Sequence, residues 1–182
     1  AMKNLFLVMA ASLFGLSASA QVLITDAEYL SRRTERVEAR AARNSADLKR
    51  MDSIVMSKGY RFVPDQFQQM PAGVAHTIYN PNFMLTVKPS YVDIDLPYIQ
   101  NAVAGPAIIT SLNALMPQVQ GYAAVQNSDG WTITFQTDAM TEYTYTFTLT
   151  IYSLTQEGVL TVATDQFNTV TYQGTVLSLI HI

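Results

Sequence analysis

YTYTFTLTIY, residues Tyr143–Tyr152, alternates aromatic or aliphatic side chains with threonine until its last residue. Successive side chains of a β-strand point to opposite faces, so this period of two predicts a strand with one apolar face and one hydroxyl face. The apolar set is expected to point into the core: Tyr145, Phe147, Leu149 and Ile151. Such a strand belongs to a sheet with one buried and one solvated face.

The same period of two continues over most of the chain after residue 59. It predicts seven further strands, at Tyr60–Val63, Phe83–Val87, Val92–Leu96, Gly121–Val125, Trp131–Phe135, Leu160–Val162 and Val170–Tyr172. Short segments rich in Pro, Gly, Asn and Asp separate them, which favours antiparallel hairpins. After the break at Gly105–Pro106, residues 107–116 are expected to form a short helix or a covering loop.

The region before the first strand has helical spacing. Thr25–Glu28 fits a capping box, and Lys58–Gly59 supplies a cationic last turn and a glycine stop. Apolar residues form one narrow stripe: Leu30, Val37, Ala41, Leu48, Met51 and Val55. An unbroken helix would be roughly 50 Å long, so we expect a break near Asn44–Ser45 or an N-terminal half that projects from the body. The predicted fold class is α+β, an N-terminal helix packed on a mainly antiparallel sheet that is curved, a sandwich or a partial barrel.

Residues 1–20 have the features of a secretory signal peptide: a lysine at position 3, the apolar run Leu5–Leu16 and the small residues Ser17–Ala20. The mature chain would begin at Gln21 and be exported to the periplasm or the extracellular space. The apolar run is shorter than the roughly 20 residues of a membrane span, so no transmembrane segment is expected in the mature chain.

Residues 177–182 resemble the in-frame translation of a transposon end sequence that is used to fragment DNA for sequencing libraries. They are therefore predicted to be a sequencing-adapter artefact, with an ordinary final strand over Val176–Ile180 as the alternative. Between the two ends we expect a helical segment, residues 21–58, and an antiparallel β region, residues 59–176, which together form one domain.

Composition excludes several classes of function. The chain has no cysteine, which removes disulfides, thiolate nucleophiles and cysteine metal sites. Eight of the eleven Lys and Arg residues lie between residues 26 and 58, and beyond them only Arg61 and Lys88 oppose eight acidic residues. This distribution offers no basic groove for nucleic acid. The arginines of the helix could bind an anionic envelope surface or form a solvated helix face: Arg32, Arg33, Arg36, Arg40 and Arg43.

The outward threonines are the first candidate binding surface. By parity, Thr132, Thr134, Thr146 and Thr148 share one face, and it is joined by Thr161, Thr169, Thr171 and Gln173. Threonine is also an ordinary choice for a solvated strand face. The functional hypothesis is a polar platform for a glycan or an envelope component, with Tyr91 and Tyr152 as the nearest outward aromatic residues. The predicted ligand-binding residues are Thr132, Thr134, Thr146, Thr148 and Tyr91.

The sequence has few residues suited to catalysis. His76 is the one histidine before residue 177, and no phosphate-binding glycine loop, nucleophile elbow or paired-histidine metal spacing is present. Asp93 and Asp95 share one strand face, and with Asp65 or Asp138 they could bind calcium or form a carboxylate pair for glycoside hydrolysis. We therefore expect no enzyme activity, no catalytic residues and no cofactor, and keep Asp93 and Asp95 as a candidate metal site.

Four segments carry a resemblance to a known family. Tyr60–Pro64, Tyr79–Met84, Val87–Tyr98 and Tyr172–Gly174 follow a charged N-terminal helix. In this order they resemble the domain of unknown function 4251 family of exported proteins from Gram-negative gut bacteria, over residues 45–176. The resemblance implies an exported α+β domain with an antiparallel sheet and implies no activity.

Three hypotheses about function follow from the sequence. The first is a non-catalytic exported binding or envelope-associated module, whose ligand contacts the threonine face or residues 101–116. The alternative is a carboxylate-dependent hydrolase that acts on glycans through Asp93 or Asp95. In a third, the apolar stripe of the helix mediates self-association.

Overall fold

The computed structural model describes residues 26–100, 108–117, 119–138 and 143–179. One helix, α1 (Asp26–Met56), precedes ten strands: β1 (Tyr60–Gln69), β2 (Ala75–Thr77), β3 (Met84–Val87), β4 (Val92–Gln100), β5 (Ile108–Met116), β6 (Gln120–Gln126), β7 (Gly130–Thr137), β8 (Tyr145–Tyr152), β9 (Glu157–Thr164) and β10 (Val170–Ser178). The predicted α+β class is confirmed. The predicted signal peptide and Thr25 lie outside the described residues.

All strands belong to one antiparallel sheet. Its order is β5-β4-β3-β1-β10-β9-β8-β7-β6, and β2 pairs with β1 off this path. β4 and β8 are five strand positions apart, yet the rings of Tyr98 and Tyr145 lie 5.9 Å apart and Tyr172 OH donates to Pro97 O at 2.7 Å. The sheet must curl to bring these residues together. It forms a half-barrel, which selects the partial barrel among the predicted arrangements.

The predicted alternation holds in the strands that form the core. Tyr145, Phe147, Leu149 and Ile151 are buried, whereas the threonines between them are half-buried on the outer face. β7 follows the same rule, with Trp131, Ile133 and Phe135 inside. The inner face of the half-barrel therefore holds the core, and the outer face is the solvated one.

Two strands were not predicted. β5 occupies residues 108–116, where a helix or loop was expected, and it pairs with β4 along its whole length. The expectation of a helix or loop was wrong. The buried residues of β5, Leu112 and Met116, are four residues apart, which is helical spacing, so the sequence shows no strand pattern there. Without β5, the backbone N–H and C=O groups along one side of β4 would lack partners. Residues 101–107 lie outside the described chain. β2 was also missed, because it is only three residues long.

The described chain divides into two compact units between Ala41 and Ala42, inside α1. In the first unit the side chains of residues 26–41 are exposed, and Arg32 pairs with Glu28 at 2.6 Å. Such a surface pair, one turn apart, is typical of a solvated helix face. α1 is continuous, so it has no break at Asn44–Ser45.

In the second unit, only the C-terminal end of the apolar stripe is buried. Met51 and Val55 are in the core together with Ile54, whereas Leu48 is exposed. The helix then ends in a Schellman motif: Lys58 N donates to Val55 O, and Gly59 N donates to Ile54 O. The residue with left-handed backbone is Lys58, at φ 51°, and not the predicted glycine.

β10 continues past residue 176. Leu177 pairs with Arg61 and Ser178 with Tyr60, and Leu179 N donates to Gly59 O at 2.8 Å. These contacts do not test whether residues 177–182 are a sequencing-adapter artefact, so that origin stays a prediction. In the described part of the chain, no helix combines the length and the apolar composition that a membrane crossing requires.

Candidate functional site

The outer face carries threonines in rows that cross several strands. Thr134, Thr148, Thr161 and Thr171 stand opposite one another on β7, β8, β9 and β10, and Gln68 of β1 continues this row. A second row runs from Thr132 and Thr150 through Val159 of β9 and ends in Gln173 and Gln66. Thr146 lies beside them, opposite Gln136. The structure therefore brings together all four predicted threonines on one hydroxyl- and amide-rich surface.

Two of these threonines have side-chain partners within the sheet. Thr132 Oγ1 accepts a hydrogen bond from Asn127 Nδ2 at 3.1 Å, and Thr146 Oγ1 accepts one from Gln136 Nε2 at 3.2 Å. These hydrogen bonds lie at the β7 end of the surface. At the other end of the surface, the regular pairing of β1 with β10 is interrupted.

The interruption is a β-bulge in β1. The register between β1 and β10 shifts between Pro64 and Gln66, so Asp65 has no partner in β10 and is exposed. Gly174 of β10 faces this bulge, and a Cβ added to it would overlap the carbonyl oxygen of Val63. The glycine therefore lets the two backbones approach closely. The bulge shifts the alternation of β1 by one residue, so that Asp65 and Gln66 are both exposed on the outer face.

A groove of about 390 Å³ lies at the bulge. Its polar lining comes from Asp65 and Gln66 of β1, Glu157 of β9, and Gln173 and Thr175 of β10, and Tyr152 of β8 forms one side. Tyr152 is 40% exposed, so part of its ring is open to a ligand. A smaller cavity of about 230 Å³ shares Gln66 and Gln173 with the groove. The outer polar groove, as we name residues 65, 66, 152, 157, 173 and 175, thus continues onto the threonine rows.

The side chains of the outer polar groove have unused hydrogen-bonding capacity. Within the described chain, none of the carboxylates, amides and hydroxyls of this groove has a side-chain hydrogen bond or a salt bridge. Amide groups both donate and accept, and carboxylates accept. Together with a partly exposed aromatic ring, they can bind a ligand that carries many hydroxyls.

The structure places Tyr91 away from the threonines. It precedes β4, which is five strand positions from β8, or about 24 Å along the sheet at roughly 4.8 Å per strand. Lys88 Nζ lies 5.1 Å from the centre of its ring. Of the two predicted outward aromatic residues, Tyr152 therefore accompanies the polar surface and Tyr91 does not.

The candidate metal and catalytic residues lie elsewhere. Asp93 and Asp95 are half-buried on the outer face of β4, and Asp93 stands between Thr86 and Leu115. Neither lines the outer polar groove or the smaller cavity beside it. In residues 26–100, 108–117, 119–138 and 143–179, no three His, Asp or Glu side chains are close enough to hold a metal ion. His76 packs its ring 5.2 Å from that of Phe67. The calcium site and the hydrolase hypothesis gain no support from this placement.

Sequence reasoning missed most of the outer polar groove, although a signal was present. Proline inside a strand is confined to edges and bulges, and glycine in a strand indicates a bulge or a close approach of backbones. Pro64, Gly158 and Gly174 are such residues. They locate the irregularity, but the neighbours of Gln66 become known only when β1 is paired with β10.

Comparison with known proteins agrees with this fold. The sequence model of a family described as a domain of unknown function, DUF4251, matches residues 42–176. A crystal structure of a DUF4251 family protein from Bacteroides eggerthii DSM 20697 superposes with a TM-score of 0.55 at 13% identity and covers 75% of this chain and 91% of that chain. At this identity the likeness shows the fold alone. No curated protein has significant sequence similarity to the chain.

Proposed function

We propose that this chain, which belongs to the DUF4251 family, is a non-catalytic module that binds neutral glycans on the outer face of its sheet. The name of the family assigns no activity. The observation that carries the proposal is the outer polar groove. It joins Tyr152, Gln66 and Gln173 to the adjacent threonine rows. A single extended sugar chain could contact the groove and the rows at once.

Each part of the groove suits one part of a sugar. The C–H face of a pyranose ring is apolar and packs on an aromatic ring, which Tyr152 offers. The amides of Gln66 and Gln173 stand opposite each other in the register, so they can bond hydroxyls on two sides of one ring. The volume of about 390 Å³ lies within the range of roughly 300–1,000 Å³ that is usual for ligand pockets.

Charge selects neutral over anionic glycans. Asp65 and Glu157 border the groove, and no lysine or arginine is among its lining residues. An anionic polymer would be repelled by these carboxylates at short range. A neutral chain can use the same carboxylates as hydrogen-bond acceptors.

The proposal is tested by calorimetric titration with neutral oligosaccharides of cellulose, starch and chitin type. We expect at least one to bind, and Tyr152→Ala to weaken its binding by about tenfold or more, as expected for loss of an aromatic contact. Tyr79→Ala is the matched control, because Tyr79 is 90% exposed and lies outside the groove. Its affinity should equal that of the unchanged protein.

Three results would contradict the proposal. One is the absence of binding by all these oligosaccharides, and another is equal binding by Y152A and Y79A. The third is cleavage of the bound oligosaccharide, which would show that the protein is an enzyme and not a non-catalytic module.

We further propose that this module is exported, which rests on the sequence of residues 1–20. Expression of the whole chain in a Gram-negative host, followed by N-terminal sequencing of the periplasmic and extracellular fractions, tests this. The expected product starts at Gln21. An uncleaved product found in the cytoplasm would contradict export.

A further inference from the structure

Another cavity, separate from the outer polar groove, lies at one end of the half-barrel, where the two edge strands approach each other. β5 and β6 are the outermost strands of the sheet, yet only three residues, 117–119, join them. Such a link spans at most about 14 Å, so the edges converge at this end. The cavity there has a volume of about 220 Å³. It is bordered by the ends of α1, β3 and β5 and the starts of β4 and β6.

Two lysines line this cavity, each beside an aromatic ring. Lys58 Nζ lies 4.2 Å from the ring centre of Tyr122, and Lys88 Nζ lies 5.1 Å from that of Tyr91. Within the described chain, no carboxylate lies within salt-bridge distance of either ammonium group. Cation–π contact orients both charges but neutralises neither. The rest of the lining is largely apolar and includes Met116 and Val119.

Lys58 occupies a position that usually belongs to glycine. It is the left-handed residue of the Schellman motif, at φ 51°. A residue with a Cβ is strained in this conformation, and such strain is concentrated at functional sites. Lys58 at this position places a charged side chain at the cavity, whereas a glycine would have no side chain there.

The surrounding charge makes this pair of lysines unusual. From residue 59 onward the chain has two cations, Arg61 and Lys88, against eight acidic residues. One of those two cations and the last lysine of the helical segment meet at this cavity. The cavity is therefore a cationic site on an acidic domain.

We propose that this lysine pocket, lined by Lys58, Lys88, Tyr91 and Tyr122, binds a ring-shaped carboxylate of the uronic acid kind. The two ammonium groups bind the carboxylate through charge-assisted hydrogen bonds. The tyrosine rings and apolar side chains contact the sugar ring. The volume, below the roughly 300 Å³ of drug-sized pockets, suits one sugar unit or the end of a chain. This site is independent of glycan binding at the outer polar groove.

Titration of the full chain with glucuronate tests the inference, with glucose and acetate as partial ligands. Glucose has the sugar ring without the charge, and acetate has the carboxylate charge without a ring. We expect glucuronate to bind most tightly and to bind more weakly at high salt. Lys88→Gln and Lys58→Gln should each weaken it by about tenfold or more, the value of one charge-assisted hydrogen bond.

Lys49→Gln is the matched control, because Lys49 is exposed on α1 and is not among the lining residues. It removes the same charge and should leave glucuronate binding unchanged. Lys88 lies in an exposed turn, so its replacement keeps the fold even where Lys58→Gln does not. Equal binding by K88Q and K49Q, equal affinity for acetate and glucuronate, or no binding of glucuronate would each overturn the inference.

Discussion

Buried tyrosine hydroxyls mark the inner face at the scale of single residues. Tyr172 OH donates to Pro97 O at 2.7 Å, and Tyr60 OH and Tyr122 OH are 3.1 Å apart. Tyr98 OH is buried without a hydrogen-bond partner in the described residues. A satisfied buried hydroxyl stabilises a fold modestly, whereas an unsatisfied one costs free energy. The same residue type therefore has opposite effects at positions 98 and 172.

This contrast predicts opposite results for two identical substitutions. Tyr98→Phe removes an unsatisfied hydroxyl and should keep or raise the free energy of unfolding. Tyr172→Phe leaves Pro97 O without its donor and should lower it by about 1–3 kcal/mol. Urea unfolding of the two variants measures the difference. A Y98F variant as unstable as Y172F would show that Tyr98 OH has a partner.

The tyrosines also predict loss of stability in alkali. Burial, with the charge of Tyr122 as a lesser cause, raises the pKa of Tyr60 well above the ordinary tyrosine value of 10.0. Burial likewise raises the pKa values of Tyr98, Tyr122 and Tyr172. Above pH 10 the unfolded chain loses protons that the folded chain retains, so the free energy of unfolding falls as the pH rises.

The contribution of these four protonated tyrosines to stability is thus complete below pH 10, and it is lost as the pH rises toward their pKa values in the folded protein. We expect the free energy of unfolding to fall above pH 10 by up to about 1.4 kcal/mol per pH unit for each such tyrosine. Urea midpoints measured between pH 8 and about pH 11 check this. A constant midpoint across that range would contradict it.

At the scale of elements, one side chain joins the end of α1 to the sheet. Asp52 Oδ1 accepts hydrogen bonds from Trp131 Nε1 at 2.9 Å and from Gln126 Nε2 at 3.0 Å. It thereby fixes the helix to β6 and β7. The indole N–H is part-buried and depends on this carboxylate.

Replacement of Asp52 by alanine should therefore destabilise the second unit. We expect a loss of about 1–3 kcal/mol in the free energy of unfolding, because the indole N–H loses its acceptor. Asp47→Ala removes the same charge one turn earlier and should change it by less than about 0.5 kcal/mol. Thermal unfolding of both variants, followed by tryptophan fluorescence, makes the comparison. Equal melting temperatures would contradict the assigned role of Asp52.

Elements with a clear period could be predicted from the sequence, and the others depend on neighbours. The alternation of Tyr145–Ile151 identifies a strand and its buried face without any tertiary information. β5 could not be recognised, because its burial is set by pairing with β4 and leaves two buried residues at helical spacing. At the helix end, Lys58 and not Gly59 has the left-handed backbone, because the Schellman hydrogen bonds place Lys58 at that position.

At the scale of the whole molecule, one curled sheet carries both proposed sites. It holds the threonine rows and the outer polar groove on its outer face, with the groove at the bulge of β1. It also brings β5 and β6 close enough for a three-residue link, beside the lysine pocket. Parity predicts which side chains point outward, but the sequence does not reveal that β1 pairs with β10. For this reason the threonines and Gln173 could be predicted from parity, whereas their continuation into Gln66 could not.

The central claim is that the outer polar face of the half-barrel is the surface that binds a neutral glycan. The most direct measurement is a map of backbone amide NMR shifts during titration with the oligosaccharide that binds best. We predict the largest shifts at Gln66, Tyr152, Thr171 and Gln173, with the lysine pocket unaffected. Shifts confined to the lysine pocket or to Asp93 and Asp95, or no shifts at all, would contradict the claim.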